Sequence, residues 1–249
     1  MTSRTAIVTG GGGTLGLAIG AALIRDGWHV VLWDIDPHLH EAARTVGAAA
    51  RVVDITEPAA CAHGLIEDGP IGALIHCAGI GQIVPFDQLD RELWDRFMTV
   101  NLTAPVFLTQ AALPSMLEGG AVIMVASVSG IRAGFGRVGY GTSKAAMIHL
   151  ARQLAVELAP RGITCNAIAP GPVEGPLAAG SHPPEQVADY VATIPQGRYA
   201  QPQEIAETAA FLASPRASHI TGQCLAVDGG YLAAGVGVTQ ARAYAQAPP

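Results

Sequence analysis

Short apolar runs alternate with segments of helical periodicity along most of the chain. Seven runs rich in Val and Ile predict β-strands, at residues 6–9, 29–33, 51–53, 73–76, 121–126, 164–168 and 224–227. Several are apolar throughout, which is typical of parallel strands covered on both faces. Helical spacing lies between them, most clearly at residues 16–26, 94–116 and 140–159. We therefore predict an α/β fold with a doubly wound, mostly parallel seven-stranded sheet flanked by helices.

Two segments depart from this alternation. Residues 171–197 are rich in Gly, Ser and Pro, and they predict a mobile loop with a short helix at 184–193. Residues 231–249 are rich in Ala and Gly, and they predict a loosely held C-terminal tail. Because no linker or internal repeat interrupts the remainder, we expect a single domain over residues 1–249.

The chain carries little charge for its 249 residues. Asp, Glu, Lys and Arg make up 14% of it, and the formal net charge is −6, whereas an average soluble domain has about 25% charged residues. This mild acidity offers no footprint for nucleic acid or an anionic membrane, and no apolar run is long enough to span a bilayer. We therefore expect neither nucleic acid nor a membrane as a partner.

The cysteines and histidines point to neither disulfides nor a metal. Cys61, Cys77, Cys165 and Cys224 lie far apart and form no CxxC pair, and the histidines are scattered. The first residues lack the charged and apolar regions of a secretory signal. We therefore expect reduced thiols, a cytoplasmic location and no bound metal.

A glycine-rich turn joins the first predicted strand to the first predicted helix. The run is Thr9, Gly10, Gly11, Gly12, Gly13, Thr14, Leu15 and Gly16, in which three glycines fit G-x-G-x-x-G. Without Cβ atoms the backbone can approach a pyrophosphate, and the helix N-terminus offers free N–H groups. This context predicts a Rossmann-like dinucleotide site.

Asp34 ends the second predicted strand, 18 residues beyond Gly16. A carboxylate at this place can accept hydrogen bonds from both adenosine ribose hydroxyls and would repel a 2′-phosphate. It therefore indicates NAD rather than NADP as the cofactor. The alternative is that Asp34 only caps the helix after Pro37.

Tyr140 and Lys144 lie one helical turn apart, so they share a helix face. A phenol is a poor base at neutral pH, but a nearby ammonium stabilises the phenolate and lowers its pKa. Ser127 follows the fifth predicted strand, and its hydroxyl could bind a substrate oxygen; Ser129 is the alternative. The three residues together favour proton transfer during oxidation or reduction at a carbon that bears oxygen.

With these motifs in order, the chain resembles the short-chain dehydrogenase/reductase family over about residues 4–232. The family's TGxxxGxG corresponds to residues 9–16, its NNAG motif to residues 76–79, and its catalytic tetrad to Asn101, Ser127, Tyr140 and Lys144. Residues 166–173 look like the segment that flanks nicotinamide, and residues 220–230 look like the C-terminal signature. The cofactor-binding set that these motifs imply is Gly10, Gly11, Gly12, Gly13, Thr14, Leu15, Gly16, Asp34, Ile35, Asp54, Ile55, Ala78, Gly79, Val100, Tyr140, Lys144, Pro170, Gly171 and Val173.

The resemblance implies reversible, NAD-dependent hydride transfer at a secondary alcohol or ketone carbon, with Tyr140 as general acid and base. In that family the Asn holds a water on a proton relay, and the Lys also binds the nicotinamide ribose. Val173 would offer backbone groups to the carboxamide. The alternatives are a 3-oxoacyl-thioester reductase acting on carrier-protein or CoA substrates, and a cofactor-binding regulatory protein with vestigial chemistry.

Four residues, in three motifs, depart from the family pattern. Thr14 replaces a glycine, His76 and Cys77 replace two asparagines, and Gly175 stands where a Thr often contacts the cofactor. Because the tetrad is complete, we still expect an active enzyme.

The segments expected around the substrate, residues 79–85, 129–139 and 172–199, are largely apolar. They predict an uncharged, moderately hydrophobic alcohol or ketone. Arg132 or Arg137 could instead bind an acidic substrate, and His182 is more simply an exposed loop residue.

The helices at 94–116 and 140–159 carry more small and apolar residues than one buried face requires. Because such helices pair between subunits in the family that the chain resembles, we expect a homotetramer.

Overall fold

Seven parallel strands form one sheet in the computed structural model, which describes residues 4–175 and 184–246. The strands are β1 (Thr5–Thr9), β2 (His29–Asp34), β3 (Ala49–Val52), β4 (Ile71–His76), β5 (Met116–Val125), β6 (Thr164–Pro170) and β7 (Cys224–Val227). Their order is β3-β2-β1-β4-β5-β6-β7, which confirms the predicted doubly wound sheet. The order reverses between β1 and β4, and a crevice for a ligand opens at the carboxyl ends of strands at such a point.

Helices cover both faces of the sheet. The described helices are α1 (Thr14–Arg25), α2 (Leu39–Val46), α3 (Pro58–Asp68), α4 (Arg91–Met98), α5 (Ala104–Ala112), α6 (Val138–Leu158), α7 (Pro184–Thr193), α8 (Pro202–Ala213) and α9 (Val238–Gln246). Alternate residues of each strand face opposite sides. On β1, Ile7 lies in one buried cluster with Met147 of α6, and Val8 lies in the other with Leu23 of α1. Burial on both faces of the inner strands explains why several of the predicted runs are apolar throughout.

The turn between β1 and α1 brings the start of a helix against the end of β4. Gly10 has a φ of 66°, and a Cβ at this residue would lie 2.7 Å from the backbone of Ala78. A Cβ at Gly16 would lie 2.1 Å from the carbonyl oxygen of Gly10. Only glycine fits these two approaches, so the glycine pattern reflects close backbone packing at the crevice.

The helix predicted over residues 94–116 is divided in the structure. α4 ends at Met98, a π-helical turn occupies Thr99–Thr103, and α5 follows. Leu113–Ser115 then forms a 3₁₀ turn, and Met116 already belongs to β5. Apolar spacing continues through these breaks, so periodicity alone does not reveal the change in backbone hydrogen bonding.

The short helix predicted at residues 184–193 is present as α7. The preceding part of the predicted loop, residues 176–183 with His182, lies outside the described residues. Within the predicted loosely held tail, residues 238–246 form α9. The Arg242 guanidinium of α9 donates hydrogen bonds to the carbonyl oxygens of Val191 and Ala192, both at 2.9 Å. These carbonyls end α7 and have no helical partner, which explains why a cation packs there.

None of the helices within residues 4–175 and 184–246 is both long and apolar enough to cross a membrane.

Candidate active site

A cavity of about 870 Å³ opens at the carboxyl ends of β1, β2, β4, β5 and β6. Most residues of the predicted cofactor set line it, and these are Gly10, Gly13, Thr14, Leu15, Gly16, Asp34, Ile35, Asp54, Ile55, Ala78, Gly79, Val100, Tyr140, Lys144, Pro170, Gly171 and Val173. Gly11 and Gly12 lie beneath the lining, and a Cβ at Gly11 would lie 2.5 Å from the Cβ of Leu32. The absence of a Cβ at these two glycines therefore lets the turn pack closely against β2.

The carboxylate of Asp34 is held in a fixed orientation at one end of the cavity. Its Oδ2 accepts a hydrogen bond from the backbone N–H of Gly12 at 2.9 Å, and its Oδ1 accepts one from Asp36 N–H at 3.2 Å. The N–H of His38, the N-cap residue of α2, donates a hydrogen bond to Asp36 Oδ1 at 2.8 Å. Asp34 therefore does not cap α2, and its carboxylate is oriented towards the cavity.

Apolar side chains flank this carboxylate. Ile35, Ile55 and Val100 line the same end of the cavity. The side chain of Asp54 accepts hydrogen bonds from the N–H of Thr56 at 2.8 Å and from its hydroxyl at 2.7 Å. These residues could hold a flat group such as an adenine, and Asp34 would then bind the sugar attached to it.

The first turn of α1 supplies the middle of the cavity. This helix carries no acidic residue in its first turn, and its N-cap, Gly13, offers no side chain to the free N–H groups. These N–H groups and the positive end of the helix dipole can therefore bind a diphosphate. Thr14 and Gly175, both departures from the family pattern, lie together: a Cβ at Gly175 would be 3.4 Å from Thr14 Oγ1.

Tyr140, Ser127 and Lys144 meet at the other end. Tyr140 lies in the first turn of α6 and Lys144 in the second, and the Lys144 Nζ is 5.9 Å from the centroid of the Tyr140 ring. Ser127 follows β5 and hydrogen-bonds to Tyr140. The alternative residue, Ser129, also lines the cavity, and its N–H donates to Ser127 Oγ at 3.1 Å. Ser129 therefore orients the serine that reaches Tyr140.

Lys144 is the only lysine in the chain, and its side chain is buried. Its Nζ donates hydrogen bonds to the Val125 carbonyl oxygen at 2.9 Å and to Met147 Sδ at 3.4 Å. Burial disfavours the ammonium and lowers the pKa of Lys144 to about 8. The amine is therefore poised to change its charge close to neutral pH.

The pKa of Tyr140 is raised from its usual value because the phenol is buried. The hydrogen bond from Ser127 and the charge of Arg137 oppose this rise, while Tyr190 adds to it. We expected the Lys144 ammonium to lower the pKa of Tyr140. The net direction is the opposite because the loss of hydration outweighs the favourable neighbours.

Asn101 lies in the π-helical turn and is fully buried behind the cavity. Its Oδ1 accepts a hydrogen bond from Ile80 N–H at 2.9 Å, and its Nδ2 donates to Ile80 O and to Ser143 Oγ, both at 3.0 Å. A Cβ at Gly79 would lie 3.2 Å from both Asn101 Oδ1 and Lys144 Nζ. Gly79 thus leaves open the space between the amide and the amine.

His76 and Cys77, which replace the two asparagines of the NNAG motif, end β4. His76 is fully buried, burial lowers its pKa to about 3, and its Nε2 hydrogen-bonds to Thr109 Oγ1 at 2.8 Å. The Thr9 hydroxyl accepts from the N–H groups of Cys77 and Ala78 at 3.2 and 3.1 Å. Thr9 therefore fixes the end of β4 beside the glycine turn despite the substitution.

Several polar residues outside the predicted catalytic and cofactor sets also line the cavity, and two of them, Glu174 and Tyr190, belong to the segment 172–199 that we expected around the substrate. Arg96 lies on α4, Tyr190 on α7 and Glu174 after β6. Of the two arginines considered for an acidic substrate, Arg137 lines the cavity. Arg132 instead packs over the Tyr231 ring, with its Cζ 4.8 Å from the centroid, and donates to Tyr231 O at 3.2 Å.

Known proteins resemble the chain over nearly its whole length. The family model described as enoyl-(acyl carrier protein) reductase matches residues 12–232. The 2-(S)-hydroxypropyl-CoM dehydrogenase 3 of Xanthobacter autotrophicus is 36% identical over 91% of this chain and 95% of its own. A 3-oxoacyl-[acyl-carrier-protein] reductase of Rickettsia bellii is 32% identical over 93% of this chain and 98% of its own.

A solved structure agrees with this result. The structure of a short-chain dehydrogenase/reductase (glucose/ribitol dehydrogenase) from Brucella melitensis superposes with a TM-score of 0.87 at 30% identity, and the match covers 92% of this chain and 96% of the other.

Proposed function

The chain belongs to the short-chain dehydrogenase/reductase family of hydride-transferring oxidoreductases, and from this premise we propose that it is an NAD-dependent dehydrogenase of secondary alcohols or reductase of the matching ketones. The observation that carries the proposal is the meeting of Ser127, Tyr140 and Lys144 at the end of the cavity opposite Asp34. Tyr140, which can transfer a proton, and the glycine turn, which can bind a dinucleotide, therefore line one cavity.

The residues around the cavity fit a dinucleotide. The glycine turn leaves room for a diphosphate at the start of α1, and the Asp34 carboxylate, held by Gly12 N–H, would accept hydrogen bonds from the adenosine ribose. Pro170, Gly171 and Val173 close the Tyr140 end, where Gly171 N–H donates to Val227 O at 2.9 Å. When bound there, NAD supplies the acceptor or donor of the hydride.

The side chains of this protein handle the proton. Ser127 binds the substrate oxygen. Tyr140 takes the proton of the carbinol as the phenolate, and as the phenol it gives its proton to a ketone during reduction. Lys144, buried on the same helix face, stabilises the phenolate that forms. Asn101 holds the Ile80 backbone and Ser143 in place and borders the gap beside Lys144 through which the proton leaves.

A 3-oxoacyl-thioester reductase is the second candidate, because the Rickettsia bellii relative carries that name. Its substrate would be a 3-oxoacyl group carried by the phosphopantetheine arm of a carrier protein or of CoA. The two candidates can therefore be separated by their substrates. Secondary alcohols, sugars and hydroxyacyl thioesters, assayed side by side by NADH absorbance, separate them. Inactivity with all of them would favour a cofactor-binding regulatory protein.

Replacing Tyr140 with Phe should lower kcat by at least about 100-fold, because it removes the group that exchanges the proton. Binding of NAD, measured by calorimetry, should persist. Tyr244→Phe is the matched control, since Tyr244 is an exposed tyrosine on α9. Unchanged turnover in Tyr140→Phe would remove this phenol from the mechanism.

Asp34 should make the enzyme prefer NAD over NADP by about 100-fold in kcat/KM, since a 2′-phosphate would face its carboxylate. Asp34→Ala should reduce this ratio by weakening NAD and admitting NADP. Asp36→Ala, two residues away, should leave the ratio unchanged. Equal kcat/KM values for the two cofactors in the unaltered enzyme would contradict the assignment of NAD.

The chain also exposes apolar side chains on two neighbouring helices. Phe107 of α5 and Val156 of α6 are 54% and 76% exposed. We propose that these faces pair with other copies to form a homotetramer, which would bury them. We also propose a cytoplasmic location, which suits four cysteines that are all free thiols.

Sedimentation should show a tetramer at micromolar concentration, and Val156→Glu should dissociate it by placing a charge in the interface. Ile66→Glu, an equally exposed position on α3, should leave the tetramer intact. A monomer in the unaltered protein would overturn the assembly.

A further inference from the structure

Arg137 places a positive charge beside the catalytic tyrosine. It precedes α6 as the N-cap residue, three positions before Tyr140. It lines the cavity, is half-buried, and its Cζ lies 5.6 Å from the centroid of the Tyr140 ring. A substrate whose oxygen bonds to Tyr140 therefore lies within reach of this guanidinium.

Two of the three described acidic residues that line the cavity lie at its adenosine end. Asp34 and Asp54 lie at the adenosine end and accept hydrogen bonds from Gly12, Asp36 and Thr56. Glu174 is exposed after β6 and acts on Arg198, whose pKa it helps to raise.

Among the described residues, Arg137 and Lys144 are the cations that lie beside the Tyr140 ring. Ile80, Val128, Ser129 and Tyr190 line this end. A Cβ at Gly81 would lie 3.2 Å from Tyr140 Cε2, so the backbone of this residue also packs against the ring. The described groups around the Tyr140 ring therefore combine two cations with hydroxyl and apolar side chains.

The local backbone adds to this preference for an anion. α6 has no acidic residue in its first turn, and its N-terminus carries the positive end of the helix dipole. A guanidinium binds carboxylate or phosphate oxygens with paired hydrogen bonds, and these strengthen where water is partly excluded.

We propose that Arg137 is the anion-binding subsite for the substrate, and that the substrate class is a short hydroxy acid or the matching keto acid. This inference rests on the proposed function and narrows it. Oxidation breaks the carbinol C–H bond, whose electron pair reduces NAD⁺ to NADH, and the hydroxyl proton leaves through Tyr140 while the carboxylate stays unchanged on Arg137. We thereby adopt the acidic substrate that the sequence left open at Arg137 in place of an uncharged alcohol or ketone.

The test compares hydroxy acids with their own methyl esters, for example 3-hydroxybutyrate and 4-hydroxypentanoate. The esters keep the carbinol and lose only the charge. In the unaltered enzyme, kcat/KM should be at least about 10-fold higher for an acid than for its ester. Propionate should inhibit oxidation of the ester competitively, since it offers a carboxylate without a carbinol.

Arg137→Gln should lower kcat/KM for the acids by about 10- to 100-fold, mainly through KM, and leave the esters nearly unchanged. Propionate should no longer inhibit this variant. Arg137→Lys should restore part of the activity towards acids, because it retains the charge. Arg132→Gln, at an arginine that packs on Tyr231, is the matched control and should behave like the unaltered enzyme.

Each contrary outcome has a separate meaning. Equal turnover of acids and esters by the unaltered enzyme overturns the anion subsite and leaves the dehydrogenase intact. An equal loss with acids and esters in Arg137→Gln, together with a shifted pH profile, also overturns it, because Arg137 would then act only through Tyr140. Failure to oxidise any acid, ester or simple secondary alcohol, with NAD binding intact, refutes the proposed function itself.

Discussion

A single buried cation organises the reactive end of this molecule. Lys144 is the only lysine among 249 residues, and its side chain is only 4% exposed. Burying an ammonium costs free energy unless it is hydrogen-bonded, and the Val125 carbonyl at the end of β5 provides the main partner. This contact fixes α6 against β5. It thereby sets where Tyr140 lies, one turn earlier, relative to Ser127, which follows the same strand.

The shape of the opposite end of the cavity is set by close packing of the backbone rather than by a buried charge. Gly10 and Gly16 allow the first turn of α1 to approach the end of β4, and Thr9 ties that end to β1. Asp34 is then oriented by a backbone N–H from the same turn. The Asp34 carboxylate, at the end of β2, and the N-terminus of α1 consequently line the same cavity. This cavity opens where the strand order reverses between β1 and β4.

The sequence was sufficient for the parts whose signal is local. Fully apolar runs identified the strands, and the spacing of Tyr140 and Lys144 placed both on one face of a helix. The division of the helix predicted at 94–116 was not predictable, because apolar spacing continues across the π-helical turn that holds Asn101. The choice between Arg132 and Arg137 was also hidden, since it depends on Tyr231, 99 residues beyond Arg132. The contact between α9 and α7 was hidden for a related reason: Arg242 finds its partners on α7, about 50 residues earlier in the sequence.

The central claim, that a buried lysine, Tyr140 and the dinucleotide share one site, can be tested on that lysine directly. Labelling the protein with ¹⁵Nζ-lysine gives a single side-chain resonance, because Lys144 is the only lysine. Its titration should give a pKa near 8, well below the ordinary 10.5, and addition of NAD should shift both the resonance and its midpoint. A midpoint near 10.5, or a resonance that NAD leaves unchanged, would contradict the account.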